Sequence, residues 1–178
     1  HASTLARGRI LDREGRLLAG NLPITILHAN PAEIMNIDTA ADRLATVLPD
    51  HDSANLRSLL GKKTKYIELD RQLSPKHHAQ ILQLGIPGVY FAKGMARIYP
   101  RGTAAAHILG FVDVDHNGTA GIEKALNAKL AAGNDVKLSL DVGLQTIIRY
   151  QIQRQIDLFD AIGGAGVILD IHSGEILA

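Results

Sequence analysis

The serines of this chain are the first place to look for chemistry, because a serine nucleophile needs a base close enough to take its proton. In an S-x-x-K pair the two residues share a helix face, so the lysine amine can reach the hydroxyl. No serine here has lysine three positions later, and Ser74 and Lys76 stand two apart, where helical side chains diverge. Ser53-Ala54-Asn55 and Lys63-Thr64-Lys65 outline an S-x-N and a K-T-G motif without the companions those motifs need. We interpret all three as chance matches and predict no catalytic residue.

The histidines and the glycine-rich segments do not predict a metal or cofactor site. Zinc needs convergent ligands, but His77 and His78 are neighbours that point to different sides of a helix, and there is no H-E-x-x-H motif. Gly163-Gly164-Ala165-Gly166 precedes a predicted strand, whereas a dinucleotide-binding loop follows one. A small hydrolase that pairs His107 or His116 with a carboxylate remains an alternative, although no spacing predicts such a pair. We expect no cofactor.

The remaining candidates are charged residues beside glycines that set backbone geometry. They are Arg7-Gly8, Asp12-Arg13 with Gly15, Arg97 and Glu123. One interpretation is that they form surface salt bridges worth at most about 1 kcal/mol each. The other is that some are partly buried and hold elements together, since a guanidinium can clamp a carboxylate or carbonyl oxygens at a junction. The sequence leaves both interpretations open.

The stretch from Arg97 to Gly133 is dense in residues that restrict or relax the backbone. Pro100 fixes its own φ and favours an extended Tyr99. Glycines stand where turns or helix ends need freedom from a Cβ, at Gly102, Gly110, Gly121 and Gly133. We predict that Arg97 lies close to an acid or to exposed carbonyls near the Tyr99-Pro100 turn, with Glu123 as the first candidate.

Composition narrows the class of protein but not its compartment. A chain of 178 residues can bury a core, and with no Trp and 4% aromatic residues that core must be aliphatic. The net charge of +1 gives no electrostatic footprint for nucleic acid. Cysteine is absent, which excludes disulfides. No apolar run has the length of a membrane span, and no signal peptide follows His1.

Periodicity and turn residues predict an α+β fold of short helices and small antiparallel sheets. The hairpin at residues 9–19 turns at Gly15, and the clearest helical period follows Asp141. The other expected elements are a strand at 22–29, helices capped by Thr39 and Ser74 and one over Ser53–Leu60, strands at 66–69, 136–140, 167–171 and 176–178, and a strand at 89–99 broken at Lys93-Gly94. We expect Gly163-Gly164 to stop the long helix. The chain stops in mid-strand, which predicts truncation inside a second domain.

Several motifs resemble, in order, one known family. Arg7-Gly8-Arg9-Ile10-Leu11-Asp12-Arg13-Glu14-Gly15 resembles the segment that opens the extracytoplasmic part of class B penicillin-binding proteins. Arg97-x-Tyr99-Pro100-x-Gly102 and Gly118-x-x-Gly121-Ile122-Glu123-x-x-x-Asn127 are similar to two further motifs of that region, and Leu138-Ser139-Leu140-Asp141 and residues 166–178 resemble the entry into the transpeptidase domain. The phrase from His107 to Asp115 looks more like the cell-division branch of the family than the elongation branch.

The resemblance implies that the parent is a membrane-anchored peptidoglycan D,D-transpeptidase that faces the periplasm and forms a serine acyl-enzyme. This chain would be its elongated, non-catalytic pedestal, or dimerisation domain, at residues 1–135, followed by an N-terminal fragment of the transpeptidase domain at 136–178. The implied partners are division-machinery membrane proteins and peptidoglycan synthases. We also expect the Ile-rich face of helix 142–160 to be covered by a partner, and self-association would provide one. A generic binding domain unrelated to cell walls is the third hypothesis.

Overall fold

The computed structural model describes residues 6–178, with the side chains of residues 103 and 104 left out; the first five residues of the predicted extended region lie outside the described residues. Five strands and seven α-helices are present in this part of the chain. The strands are β1 (Ile10–Leu11), β2 (Leu17–Ala29), β3 (Ile67–Asp70), β4 (Val89–Ile98) and β5 (Val136–Lys137). The helices are α1 (Ile37–Ala45), α2 (Ser53–Leu60), α3 (Pro75–Leu84), α4 (Ala106–Leu109), α5 (Gly121–Ala125), α6 (Asn127–Ala131) and α7 (Val142–Phe159).

The chain divides into two compact units. The terminal unit comprises the residues up to Leu22 together with Arg97–Ala178, and the inserted unit comprises Pro23–Ala96. This division follows contacts in space, and the boundary at residue 135 stays a prediction.

In the terminal unit, β1 lies between the start of β2 and β5. It pairs antiparallel with β2, Ile10 opposite Ala19, and parallel with β5, Ile10 opposite Val136. The hairpin turn is closed by hydrogen bonds from the Asp12 N–H to the Arg16 carbonyl and from the Gly15 N–H to the Asp12 carbonyl. The buried core of this unit is aliphatic and contains Ile10, Leu18, Ala19, Ala105, Leu109, Leu130, Val136 and Val142.

In the inserted unit, three helices pack with the second half of β2 and its partners. This half of β2 pairs antiparallel with β3, Leu27 opposite Asp70, and β2 also pairs with β4. The core is aliphatic and continuous; its fully buried members include Leu27, Leu44, Leu56 and Leu60. Burial of this apolar surface is the main term that stabilises such a unit.

Three helix starts show why capping residues are informative. Ser74 accepts a hydrogen bond from the N–H of His77 and Pro75 occupies the first helical position, as the sequence predicts. Asp141 caps α7 by accepting from the N–H groups of Gly143 and Leu144. The predicted Thr39 cap is wrong, because Asn36 stands earlier and accepts from the Thr39 N–H at 3.0 Å.

Two predicted interruptions are also wrong. β4 is continuous through Lys93-Gly94, and Gly94 serves close packing instead, since a Cβ there would lie 2.6 Å from Ile26 Cδ1. Helix α7 ends at Phe159 with Asp160 in the left-handed region, before Gly163-Gly164. The two strands expected near the C-terminus reduce to one bridge between Leu169 and Ile176.

The fold is α+β with short helices and small sheets, as the sequence predicts, but the sheets are not wholly antiparallel, because β1 and β5 pair in parallel. None of the helices within residues 6–178 combines the length and the apolar character that crossing a bilayer requires.

Candidate functional site

The motif-dense stretch places one carboxylate, that of Glu123, at the centre of the terminal unit. Glu123 lies in α5 and is 0% exposed. Its Oε1 accepts a hydrogen bond from Arg97 Nε at 2.8 Å, and its Oε2 accepts from Arg7 Nε at 2.8 Å. The predicted pair of Arg97 and Glu123 is therefore present, and a second arginine completes it. We call Arg7, Arg97 and Glu123 the arginine–glutamate cluster.

Arg7 ties the start of the chain to residues more than a hundred positions away. Its Nη2 donates to the backbone carbonyl of Glu123 at 2.9 Å, and its Nη1 donates to the carbonyl of His116 at 2.9 Å and to Asn127 Oδ1 at 2.8 Å. Asn127 Oδ1 also accepts from the N–H of Gly118 at 2.9 Å. One guanidinium thus fixes both α5 and the loop before it.

Arg97 ties β4 to the other end of the same network. Its Nη1 donates to the carbonyl of Gly8 at 2.8 Å and to Asn21 Oδ1 at 3.1 Å. The Arg97 side chain is 1% exposed, and among the described residues no group accepts from its Nη2. A buried guanidinium whose donors are nearly all hydrogen-bonded holds the surrounding segments together. Leaving such a charge unpaired would cost on the order of several kcal/mol of stability.

Tyr99 and Pro100 form the turn that follows Arg97. The Gly102 N–H donates to the Tyr99 carbonyl at 3.0 Å, and proline and glycine stand at the second and fourth positions of this turn, where they are favoured. The Tyr99 hydroxyl lies 3.4 Å from Glu123 Oε1. Burial and the Glu123 charge raise the pKa of Tyr99 to about 12, and the Arg97 charge opposes this rise.

The predicted glycines lie where a side chain would not fit or would be strained. Gly15, Gly102, Gly110, Gly121 and Gly133 all have positive φ. Gly8 has another role, because a Cβ there would lie 1.9 Å from the carbonyl oxygen of Asn134. Its N–H donates to the Leu130 carbonyl at 2.8 Å, so the backbone itself packs against the end of α6.

Asp12 joins the β1–β2 hairpin to α7. This carboxylate is 0% exposed and accepts from the N–H groups of Arg16 at 2.7 Å, Glu14 at 2.9 Å and Val142 at 3.4 Å. Burial by itself would raise the pKa of Asp12, but these backbone hydrogen bonds and the Arg16 charge outweigh it, and the pKa lies below its ordinary value. A carboxylate at the start of α7 also stabilises this helix, because its negative charge lies at the positive end of the helix dipole.

Arg13 forms a surface salt bridge, as the first of the two interpretations of the charged candidates proposes. Its side chain is 33% exposed and its Nη2 lies 3.9 Å from Glu175 Oε2, the geometry of a weak surface pair. The neighbouring Arg9 pairs with Asp135 at 2.6 Å with both side chains exposed. Arg7, Asp12, Arg97 and Glu123 are buried and hold segments together, whereas Arg13 does not.

Sequence reasoning missed the uncharged members of the network. Asn21 and Asn127 supply amide oxygens to Arg97 and Arg7, and Asn21 donates to the Arg7 carbonyl. Asn127 stands in a quoted motif four residues after Glu123, a spacing that brings two side chains together on a helix, and this is the signal that could have identified it, although the structure places the two residues in successive helices α5 and α6. Asn21 carries no such signal, because its contacts depend on the path of β2.

The arginine–glutamate cluster is not arranged for catalysis. Both carboxylate oxygens of Glu123 accept from guanidinium groups, and the side chain is 0% exposed, so a substrate cannot reach it to transfer a proton. His116 contributes its backbone carbonyl to this network. Within residues 6–178, no group of three or more His, Asp or Glu side chains is placed to hold a metal ion. The chemistry of the cluster is that of fixing backbone segments.

Comparison with known proteins identifies the family. Residues 3–151 match the penicillin-binding protein dimerisation domain. The "Probable peptidoglycan D,D-transpeptidase FtsI" of Caulobacter vibrioides is 34% identical, over 97% of this chain and 30% of that protein. The "Probable peptidoglycan D,D-transpeptidase PenA" of Neisseria meningitidis serogroup A is 32% identical, over 97% of this chain and 35% of that protein. This chain thus spans about a third of the length of these relatives.

A solved structure shares the fold. The crystal structure of a peptidoglycan synthetase from Bifidobacterium adolescentis matches with a TM-score of 0.61 and 23% identity, over 98% of this chain and 42% of that one. The resemblance that the motifs suggested is confirmed by the family match, which includes Arg7, Arg97 and Glu123. The chain belongs to the penicillin-binding protein dimerisation domain family.

Proposed function

We propose that this chain is a non-catalytic scaffold and interaction module of a peptidoglycan transpeptidase that acts in cell division. The parent would be a serine D,D-transpeptidase, anchored in the cytoplasmic membrane with this region on the periplasmic side. Residues 1–135 would form the dimerisation, or pedestal, domain, and residues 136–178 would begin the transpeptidase domain. The names of the relatives support this hypothesis over a small hydrolase and over a binding domain unrelated to the cell wall.

The observation that carries the proposal is the position of Glu123 between two arginines. Its carboxylate and the donors of Arg7 and Arg97 hold residues 7–8, 21, 97–99 and 116–127 in one arrangement. Three charged residues of the family motifs, Arg7, Arg97 and Glu123, are thereby used in holding the domain together. This is the use expected of a scaffold that presents other surfaces to partners.

Labelling with a fluorescent penicillin followed by a denaturing gel tests the non-catalytic role. We expect no covalent adduct on this chain, because an acyl-enzyme needs an activated serine nucleophile. A catalytically active penicillin-binding protein in the same tube serves as the positive control. A stable adduct on this chain would refute the proposal.

The proposed partners are division-machinery membrane proteins and peptidoglycan synthases. The immobilised chain should retain such proteins from detergent-solubilised membranes of the bacterium that encodes it, and mass spectrometry would identify them. Beads carrying an unrelated domain of similar charge provide the control. Recovery of cell-wall proteins at the control level would contradict this part of the proposal.

Self-association through α7 is the second proposed contact. Phe159 is 73% exposed and, with Ile148, Ile152 and Ile156, lines a groove of about 370 Å³ beside residues 163–165. We expect a concentration-dependent dimer in sedimentation velocity that Ile156→Glu with Phe159→Glu abolishes. Lys124→Glu with Lys129→Glu, both exposed on other helices, should leave the dimer intact. A wild-type chain that stays monomeric at the highest soluble concentration would exclude this contact.

A further inference from the structure

The inserted unit contains a cavity of about 430 Å³ with an apolar lining. Its inner surface is formed by Leu60 at the end of α2, by Pro31 in the short helix before α1, and by Ile37 at the start of α1. Leu60 is 0% exposed and Pro31 is buried, so the apolar surface that a ligand can touch belongs mainly to the half-buried Ile37 and the exposed Ala32, beside the loop that follows α2. The volume falls in the range of about 300–1,000 Å³ that is usual for ligand sites and is enough for one or two large side chains.

The rim of this cavity carries an uncompensated positive charge. Lys62, Lys63 and Lys65 all line it and are all exposed. Within the described residues none of the three amines forms an ion pair or a hydrogen bond, and neighbouring acids are engaged elsewhere. Glu33 accepts from Asn30 and Tyr90. Asp38 lies 3.1 Å from Arg57.

The loop that presents these lysines has a defined backbone. The Lys62 N–H donates to the Leu59 carbonyl at 3.2 Å, and the Thr64 N–H donates to the Lys62 carbonyl at 2.9 Å. The Thr64 hydroxyl donates to the Tyr66 carbonyl at 2.7 Å. Because the backbone is held, binding has to order the three lysine side chains but not the loop that carries them.

We propose that this cavity and its lysines, the basic groove, bind an acidic segment of a partner protein through one or two apolar side chains. The apolar side chains would fill the groove beside Ile37 and the loop that follows α2, and carboxylates beside them would pair with Lys62, Lys63 and Lys65. This assignment rests on the scaffold role proposed above and adds to it the surface and the partner's chemistry. Charge complementarity gives such a contact its specificity and speeds association.

The concave shape of the groove favours a peptide over a membrane surface. A protein that binds a bilayer inserts protruding apolar side chains below the headgroups. Here Leu60 and Pro31 are buried and Ile37 is half-buried, so none of these three lining side chains protrudes. An extended or helical peptide can present such a side chain between two acids.

Binding of a labelled peptide to the whole chain tests the groove. The probe is a short fluorescein-labelled peptide in which leucine and phenylalanine alternate with aspartate and glutamate, and fluorescence anisotropy gives its Kd. Two matched peptides replace the acids by their amides or the apolar residues by alanine. We expect Lys62→Gln/Lys63→Gln/Lys65→Gln to weaken binding about tenfold, since each exposed pair contributes modestly.

Matched variants separate the groove from general charge. Lys76→Gln/Lys93→Gln/Lys124→Gln removes the same charge from exposed positions elsewhere and should leave the Kd unchanged. Ala32→Glu adds an acid to the exposed lining residue Ala32 and should also weaken binding. Thermal unfolding followed by circular dichroism checks that each variant is folded.

Several outcomes would overturn the proposal. These are no binding of the acidic peptide by the wild type, equal loss in both triple variants, equal binding of the amide or alanine peptide, or lysine-dependent binding of phosphatidylglycerol vesicles without peptide binding. If the groove variant still recovers division proteins from membranes as the wild type does, the groove assignment fails while the scaffold role stands.

Discussion

The two compact units are stabilised by different kinds of interior. In the terminal unit the buried residues include Arg7, Asp12 and Glu123, and the Arg97 side chain is 1% exposed. The described residues of the inserted unit bury no charged side chain, and helices and strands meet there through leucine, isoleucine and alanine. Buried charges need particular partners at particular distances, whereas an aliphatic core needs mainly the right volume.

This difference shows in which unit the family motifs carry information about the structure. The quoted motif residues Arg7, Arg97 and Glu123 all belong to the terminal unit, where each contacts another. None of the motifs that carry the family resemblance falls in Pro23–Ala96, whose interior can be built from many aliphatic combinations. The comparison predicts that substitutions which keep the shape of a buried side chain but remove its charge lower the free energy of unfolding strongly in the terminal unit. Substitutions that keep the volume of a core side chain should lower it only weakly in the inserted unit.

The largest effect is expected for Glu123→Ala. Removing this carboxylate leaves two buried guanidinium groups unpaired, and breaking such a pair lowers the free energy of unfolding by about 3–5 kcal/mol. Urea unfolding at neutral pH measures the loss. Asp42→Ala, which removes the exposed partner of Arg57 in the inserted unit, is the control and should change stability by about 0.5 kcal/mol or less. Equal effects of the two substitutions would contradict the contrast between the units.

Leu56 provides the corresponding test in the inserted unit. Leu56 is 0% exposed, so Leu56→Ala should lower the free energy of unfolding by about 2–4 kcal/mol through the cavity it leaves. Leu56→Met keeps the volume and should cost less than about 1.5 kcal/mol. The same-shape Glu123→Gln should cost more than Leu56→Met in the same urea series. The reverse order would show that shape governs both interiors alike.

Asp12→Asn tests the hairpin link to α7 and its pH dependence. Its amide cannot replace the carboxylate in every hydrogen bond, so we expect a loss of about 1–2 kcal/mol at neutral pH. Because folding lowers the pKa of Asp12 below 3.8, its contribution is present above that pH and disappears as the pH falls through the folded-state pKa. Urea unfolding as a function of pH should show wild type and variant converging in acid. A constant difference would rule out the charge as the cause.

Tyr99→Phe is expected to have the smallest effect. The hydroxyl lies 3.4 Å from Glu123 Oε1, a long hydrogen bond, so its loss should cost about 0.5 kcal/mol. The folded-state pKa of Tyr99 is raised from 10.0 to about 12, so its contribution is present below pH 10 and is lost between pH 10 and 12. Ultraviolet absorbance should show a tyrosine ionisation near pH 12 in the wild type that is absent from the variant. If the ionisation that the variant lacks lies near pH 10 instead, the Tyr99 hydroxyl is not held beside Glu123.

The sequence predicts local features of this molecule well. Ser74 and Asp141 start helices because a side-chain oxygen one or two bonds from Cβ reaches N–H groups two or three residues later, which depends only on neighbouring residues. The Arg97–Glu123 pair was also predictable, because glycines and Pro100 bring the two residues together within a short stretch. The strand break predicted at Gly94 was wrong, since a glycine that makes room for the Ile26 side chain looks the same in a sequence as a glycine in a turn.

Long-range partners were the part that the sequence could not predict. Arg7 was a candidate, but nothing in its neighbourhood indicates contact with Glu123, 116 positions away. The same holds for Asp12 and Val142, 130 positions apart. These contacts depend on how β1, β2 and β5 assemble, which is a property of the whole unit.

A double-mutant cycle tests the central claim, that the arginine–glutamate cluster holds the terminal unit in shape. The cycle compares Arg97→Met, Glu123→Gln and the double variant by urea unfolding at neutral pH. We predict that the two substitutions are strongly non-additive, with a coupling free energy of about 2 kcal/mol, because each single change leaves a buried partner uncompensated. Additivity within about 0.5 kcal/mol would contradict the claim.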